Sequence, residues 1–128
     1  MLSPPAPPRA RVLIVDDDAG VRNVCSTLLR VLGYRTDVAS NGATALASLH
    51  GNDQRVQLVL LDLELPGMHG GEVLRQVKAT LPGVRVLVMS GKPGRDLRRF
   101  LLAGADGVLQ KPFGMNELDD CVGAALRN

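Results

Sequence analysis

A chain of 128 residues has room for one domain and little more. Its 45% apolar and 22% charged content is that of a folded globular protein and argues against wholesale disorder. A net charge of +2 supplies no strong overall field for nucleic acid or an anionic membrane. Tyr34, Phe100 and Phe113 are the whole aromatic content, too few for the stacking platforms of single-strand binders. Cys25 and Cys121 make no disulfide framework and match no zinc spacing. No apolar run reaches membrane-spanning length and the N-terminus does not read as a signal peptide, so a reduced, cytoplasmic protein is expected. Ten of the thirteen acidic residues are Asp, which makes the placement of the aspartates the feature to follow.

Residues 1–10 carry Pro4, Pro5, Pro7 and Pro8 and are expected to be a tail or linker remnant, since such a stretch cannot form a helix or a central strand. The domain is expected over residues 11–128. Val12 to Val15 is an unbroken apolar run, as are Leu58 to Leu61 and Val86 to Met89; such runs point to strands buried on both faces of a parallel sheet. Tyr34 to Val38 alternates and reads as an edge strand, and Gly107 to Gln110 is a short fifth candidate. Helical periodicity fills the gaps. Val21, Val24, Cys25, Leu28, Leu29 and Leu32 mark the first helix, ended by Gly33. Ala43, Leu46 and Leu49 mark the second, with Asn41 as its cap. Val73, Leu74 and Val77 mark the third, stopped by Pro82–Gly83. Leu97, Phe100 and Leu101 mark the fourth, closed by Gly104, and Leu118, Cys121, Val122, Ala125 and Leu126 the fifth. Five strands alternating with five helices, joined by right-handed crossovers, predict a doubly wound α/β sandwich. Alternation alone leaves the strand order open.

Ligands of open α/β sheets bind beyond the carboxyl ends of the strands. There the first strand ends in Asp16, Asp17 and Asp18, the third in Asp62, the fourth in Ser90, and the fifth in Lys111 followed by Pro112. Carboxylates from neighbouring strands repel, and a divalent cation relieves the repulsion. A few hard oxygen ligands open to water suit Mg²⁺. Lys111 suits a phosphate as a point charge, and Ser90 offers a hydroxyl to a phosphoryl oxygen. An Asp beside Mg²⁺ and Lys is a candidate nucleophile for phosphoryl groups, and Asp62, the single acid ending the central run, is the best placed. The Asp16–Asp17 pair is the metal handle.

The segments VLIVDDD (12–18), LVLLDLELPGMHGGE (58–72), VLVMSG (86–91) and GADGVLQKPF (104–113) resemble a response regulator receiver domain of two-component signalling, over about residues 11–128. The resemblance implies a flavodoxin-like (βα)5 fold with strand order 2-1-3-4-5, an order also known for a chemotaxis receiver. It implies that Asp17 binds Mg²⁺ directly, that Asp16 acts largely through water, that Glu64 contributes its backbone carbonyl, and that Lys111–Pro112 is cis. It further implies a phosphoryl donor, either a histidine kinase or a phosphotransfer protein, and a chain that catalyses only its own phosphorylation and dephosphorylation. Further expectations are no direct contact with nucleic acid, no membrane association, and a monomer or weak dimer.

One position departs from the family pattern. Many receivers carry Tyr or Phe three residues before the lysine, where this chain has Val108. That leaves two readings of its output: a smaller movement through Ser90 and its loop, or a receiver that mainly shuttles phosphoryl groups. The alternative to a switching receiver is a module of a hybrid histidine kinase that acts mainly as a phosphoryl shuttle or as an interaction module independent of phosphorylation. Plainer readings apply elsewhere. Asp18 or a neighbour caps the first helix. Cys25 and Cys121 are expected as two buried thiols. His50 and His69 are expected to be solvated, and Arg95, Arg98 and Arg99 to form a solvated or partner-facing cluster on the fourth helix. A haloacid-dehalogenase-type phosphatase would want Asp where Glu64 stands and has no room for its cap domain. An FMN carrier would need a hydroxyl-rich phosphate loop and flanking aromatics, and the sequence has neither.

Overall fold

The computed structural model describes residues 9–51, 55–94 and 96–127. The Pro-rich stretch up to Pro8, and Arg95, lie outside the described residues. The elements alternate along the chain: β1 (Arg11–Val15), α1 (Ala19–Val31), β2 (Arg35–Ala39), α2 (Gly42–Gly51), β3 (Leu58–Asp62), α3 (Gly70–Thr80), β4 (Arg85–Ser90), α4 (Arg98–Leu102), β5 (Gly107–Gln110) and α5 (Met115–Arg127). All five strands are parallel, in the order β2-β1-β3-β4-β5. This is the flavodoxin-like arrangement expected.

The unbroken apolar runs form the middle of the sheet. Val12–Val15, Leu58–Leu61 and Val86–Met89 are fully buried, because helices cover both faces. Alternate residues serve opposite cores. Leu13, Val15, Val59, Leu61, Val86 and Val88 pack with residues of α2, α3 and α4. Val12, Ile14, Leu58, Leu60, Leu87 and Met89 pack with α1 and α5. Each of these large side chains contributes roughly 2 kcal/mol through burial. β2 lies at the edge as expected, and there Val38 is 52% exposed because no strand lies beyond it.

Helix ends follow local chemistry. Asp18 Oδ1 accepts the Gly20 and Val21 N–H groups at 2.8 and 3.2 Å and so caps α1. Asn41 Oδ1 accepts the Thr44 N–H at 2.8 Å at the start of α2. Gly33 and Gly104 close α1 and α4 with φ of +96° and +109°.

Two expectations need correction. α4 spans only five residues, with Leu97 at its cap, and Phe100 is its buried residue while Leu101 and Leu102 are 45% and 91% exposed. Gly104 closes it as expected, but the helix begins only at Arg98, and the single turn that remains leaves Leu101 exposed. Cys25 is buried but Cys121 is half-buried, and both thiols are free. Cys121 sits one position off the buried stripe of Leu118, Val122 and Ala125.

The amino-terminal edge of the sheet is pinned by charge. Lys78 Nζ lies 2.7 Å from Asp106 Oδ2 and donates to the Val84 carbonyl at 3.1 Å. Asp106 Oδ2 also accepts the Val86 N–H at 2.8 Å, and Arg85 lies 3.7 Å from Oδ1. One carboxylate thus joins α3, β4 and the approach to β5.

At the other edge, the first turn of α3 abuts the end of β3. A Cβ on Gly70 would lie 2.5 Å from the Asp62 carbonyl oxygen and 2.7 Å from Leu63 Cα, both backbone atoms unable to yield cheaply. Gly70→Ala is therefore expected to lose about 2 kcal/mol of stability, read as a lower urea midpoint at unchanged slope.

Candidate functional site

The strand order brings the polar strand ends together. β1 and β3 are neighbours with Val15 opposite Leu61, so Asp16 and Asp62 leave the sheet side by side. β4 and β5 follow, with Ser90 opposite Gln110, and Lys111 N donates to the Ser90 carbonyl at 2.8 Å. The Lys111–Pro112 bond is cis, as the resemblance implied. Asp16, Asp62 and Ser90 are the buried polar residues among those described, at 1%, 3% and 0% exposure.

Asp16 is held on all sides. Its Oδ1 accepts the Asp18 N–H at 2.9 Å, its carbonyl accepts Arg22 at 2.8 Å, and its Oδ2 accepts Lys111 Nζ at 2.8 Å. Asp62 Oδ1 accepts the Glu64 N–H at 3.0 Å and lies 3.6 Å from Lys111 Nζ. Asp17 is exposed. Carboxylate oxygens of Asp16, Asp17 and Asp62 all lie within 4.8 Å of one another. Hard oxygen donors from two buried acids and one open to water fit Mg²⁺, and the structure brings these three of the candidate metal residues together.

Burial raises the Asp62 carboxyl above its ordinary value. The Glu64 N–H and Lys111 act against this, while the charges of Asp16 and Glu64 add to it. Burial works to lower the Lys111 ammonium, but the hydrogen bond it donates to Asp16 and the charges of Asp62, Asp16 and Glu64 outweigh it, and the net shift is upward. Lys111 therefore stays charged beside the acids. Cys25, near this edge, is pushed up to about 11 by burial and by the Asp16 charge, which makes it a protonated, inert thiol.

Glu64 was expected to act through its backbone carbonyl. Its side chain has a second place in the site. The Ser90 hydroxyl donates to Glu64 Oε1 and Oε2 at 3.2 and 3.1 Å, and the Gly91 N–H donates to Oε1 at 2.8 Å. The register of β3 on β4 accounts for this. Asp62 pairs with Met89, so the residue two beyond Asp62 travels alongside Ser90 and Gly91. His69 is exposed at the cap of α3 with no side-chain capping bond, and His50 is exposed with its Nε2 3.2 Å from Thr80 Oγ1; both keep the solvated reading. Arg98 pairs with the exposed Asp96, and Arg99 stacks 4.8 Å from the Phe100 ring centroid.

Residues 12–123 match the family model of the response regulator receiver domain. The DNA-binding response regulator MtrA of Mycobacterium tuberculosis is 40% identical over 120 residues, covering 93% of this chain and 51% of that protein. The chain thus spans about half the length of its mycobacterial relatives. Sporulation initiation phosphotransferase F of Bacillus subtilis is 35% identical over 113 residues, covering 88% of this chain and 90% of that protein. The crystal structure of a CheY-like receiver domain protein from Methanospirillum hungatei superposes with a TM-score of 0.83 at 29% identity, covering 92% of this chain and 94% of that one. The chain belongs to the response regulator receiver domain family and has its fold. It is a receiver of two-component signalling. Among the described residues, no helix is long and apolar enough to cross a membrane.

Two substitutions test this electrostatic arrangement. Because the Asp62 carboxyl is raised in the folded state, the native protein holds a proton over a pH window where the unfolded chain, near 3.8, has lost it. Stability contributed by this group therefore falls as pH rises through that window. Asp62→Asn keeps an acceptor for the Glu64 N–H and removes the charge. It is expected to be more stable than wild type at neutral pH in chelator, with the difference shrinking as pH falls through the raised value of the folded state towards 3.8, read from urea denaturation across pH. Lys111→Met leaves Asp16 and Asp62 without their ammonium and is expected to lose about 3 kcal/mol in chelator, measured the same way.

Proposed function

We propose that Asp62 is the phosphoacceptor of this receiver, taking a phosphoryl group from the phosphohistidine of a histidine kinase or phosphotransfer protein. The observation that carries this is the convergence of three carboxylates within 4.8 Å on a charged lysine at the carboxyl edge of the sheet. An Asp62 carboxylate oxygen attacks phosphorus as the bond to the imidazole nitrogen breaks. The electron pair leaves with the imidazole, and an aspartyl phosphate remains on the chain. Lys111 Nζ stands where a phosphoryl oxygen on Asp62 would gain a cation. Mg²⁺ held by Asp16, Asp17 and Asp62, with the Glu64 carbonyl, would neutralise charge on the transferring group.

Ser90 supplies the hydroxyl that follows the phosphoryl oxygens, and the resulting shift changes a partner-binding surface. The chain catalyses only formation and hydrolysis of its own acyl phosphate. The two free thiols accord with a cytoplasmic site of action. One observation favours a shuttling role alongside this. Val108, half-buried against the α2–α3–α4 core, carries no ring to relay the movement of Ser90, and the relative matched over 90% of its own length is named a phosphotransferase.

Incubation with acetyl phosphate and Mg²⁺ is expected to add the mass of one phosphoryl group to the intact protein. Asp62→Asn and a chelator should each abolish the adduct. No adduct, together with no binding of beryllofluoride, would overturn the reading in favour of a phosphorylation-independent interaction module.

A further inference from the structure

Ser90 is fully buried, so its hydroxyl proton has no water to turn to. That proton is committed to the Glu64 carboxylate, while Ser90 Oγ accepts the Lys92 N–H at 3.2 Å. The Gly91 N–H points at the same carboxylate, at 2.8 Å. A hydroxyl and a main-chain N–H converging on one oxyanion are what a phosphoryl group on Asp62 would require. Here the oxyanion belongs to the chain itself and stems from the residue two beyond Asp62. One serine proton cannot serve both. A phosphoryl group would also bring about −1.5 to −2 charge next to this carboxylate.

Resting on the phosphoacceptor reading, we propose that Glu64 is a built-in competitor for the phosphoryl oxygens: its carboxylate holds Ser90 Oγ–H and Gly91 N–H and must yield both when Asp62 is modified. Only hydrogen bonds exchange in this step. The serine hydroxyl and the glycine N–H turn from Glu64 to phosphoryl oxygens, and the carboxylate swings away. A destination exists beside it. A cavity of about 430 Å³ between the β3–α3 loop and α4 is lined by Glu64, His69, Lys92, Arg99 and Phe100, and its basic side chains suit a displaced carboxylate. Because Arg99 and Phe100 belong to α4, the movement of Glu64 reaches the helix that Val108 cannot address through a ring. Glu64 is thus a positioning residue for Ser90 and the link from the site to α4.

Beryllofluoride titration at saturating Mg²⁺, followed by amide NMR, tests this on wild type, Glu64→Gln and Glu64→Ala, each with and without Ser90→Ala. Both Glu64 variants keep the main-chain carbonyl, and thermal unfolding checks their folding. Glu64→Ala is expected to bind about tenfold more tightly than wild type, Glu64→Gln by a smaller factor, as the loss of a charge-assisted competitor requires. The gain should shrink severalfold in the Ser90→Ala background. The Arg99 and Phe100 amides should move on binding in wild type and lose most of that movement in Glu64→Ala. Equal affinity of wild type and Glu64→Ala would overturn the proposal while leaving the phosphoacceptor reading intact. A gain undiminished by Ser90→Ala would overturn it too, leaving general charge repulsion as the cause. Absence of Asp62-dependent binding in wild type and every variant would overturn both.

Discussion

The site depends on a single ammonium group set between two buried carboxylates. Asp16 and Asp62 leave adjacent strands at 1% and 3% exposure. Charges so placed repel each other, and burial works against the ionised form of Asp62. Lys111 Nζ, 2.8 Å from one and 3.6 Å from the other, makes the arrangement tolerable. Its own position depends on β5 lying beside β4 and on the main-chain bond from Lys111 N to the Ser90 carbonyl. The sheet order, the cis bond after the lysine and the caps around Asp16 and Asp18 all bear on keeping this charge in place. The residual excess of negative charge, with Asp17 open to solvent, makes this edge suited to a hard cation.

Much of this was legible from residue order. Unbroken apolar runs identified the buried strands because both sheet faces are covered, and the residue following each run identified the site because parallel strands all end on one side. Asn41 and Asp18 acted as the caps their chemistry suggests. Strand order was not legible in this way. It is a property of pairing between segments tens of residues apart, and here it came from the family resemblance. The stop of α4 at Gly104 was legible, but its length was hidden, because the periodicity of Leu97, Phe100 and Leu101 does not say that the helix starts only at Arg98. The partial exposure of Cys121 turned on one position of helix phase. The Glu64 carboxylate escaped notice because the resemblance assigned its backbone a task, and a side chain crossing from one strand end to the next is a register effect.

Two departures fall at neighbouring points of the same machinery. Val108 offers a branched aliphatic side chain packed into a core, with no polar tip and no large swing between rotamers. Ser90 and Glu64 offer an engaged hydrogen bond with an anionic partner. The first offers no ring to act as a steric relay, and the second is the contact on which the proposed electrostatic one rests.

The Lys78–Asp106 pair has a bearing on how such a domain can move. It ties α3, the start of β4 and the entry to β5 at the edge remote from the acids, with a main-chain N–H sharing the same carboxylate. Local opening draws first on segments with few buried contacts, and α4 has a single buried residue. The molecule therefore has a stiff abutment at one end and a lightly held strut at the other. The closing Gly104 of α4 lies against the Lys78 side chain, so the short helix is a compliant piece hinged on the stiffest corner of the frame.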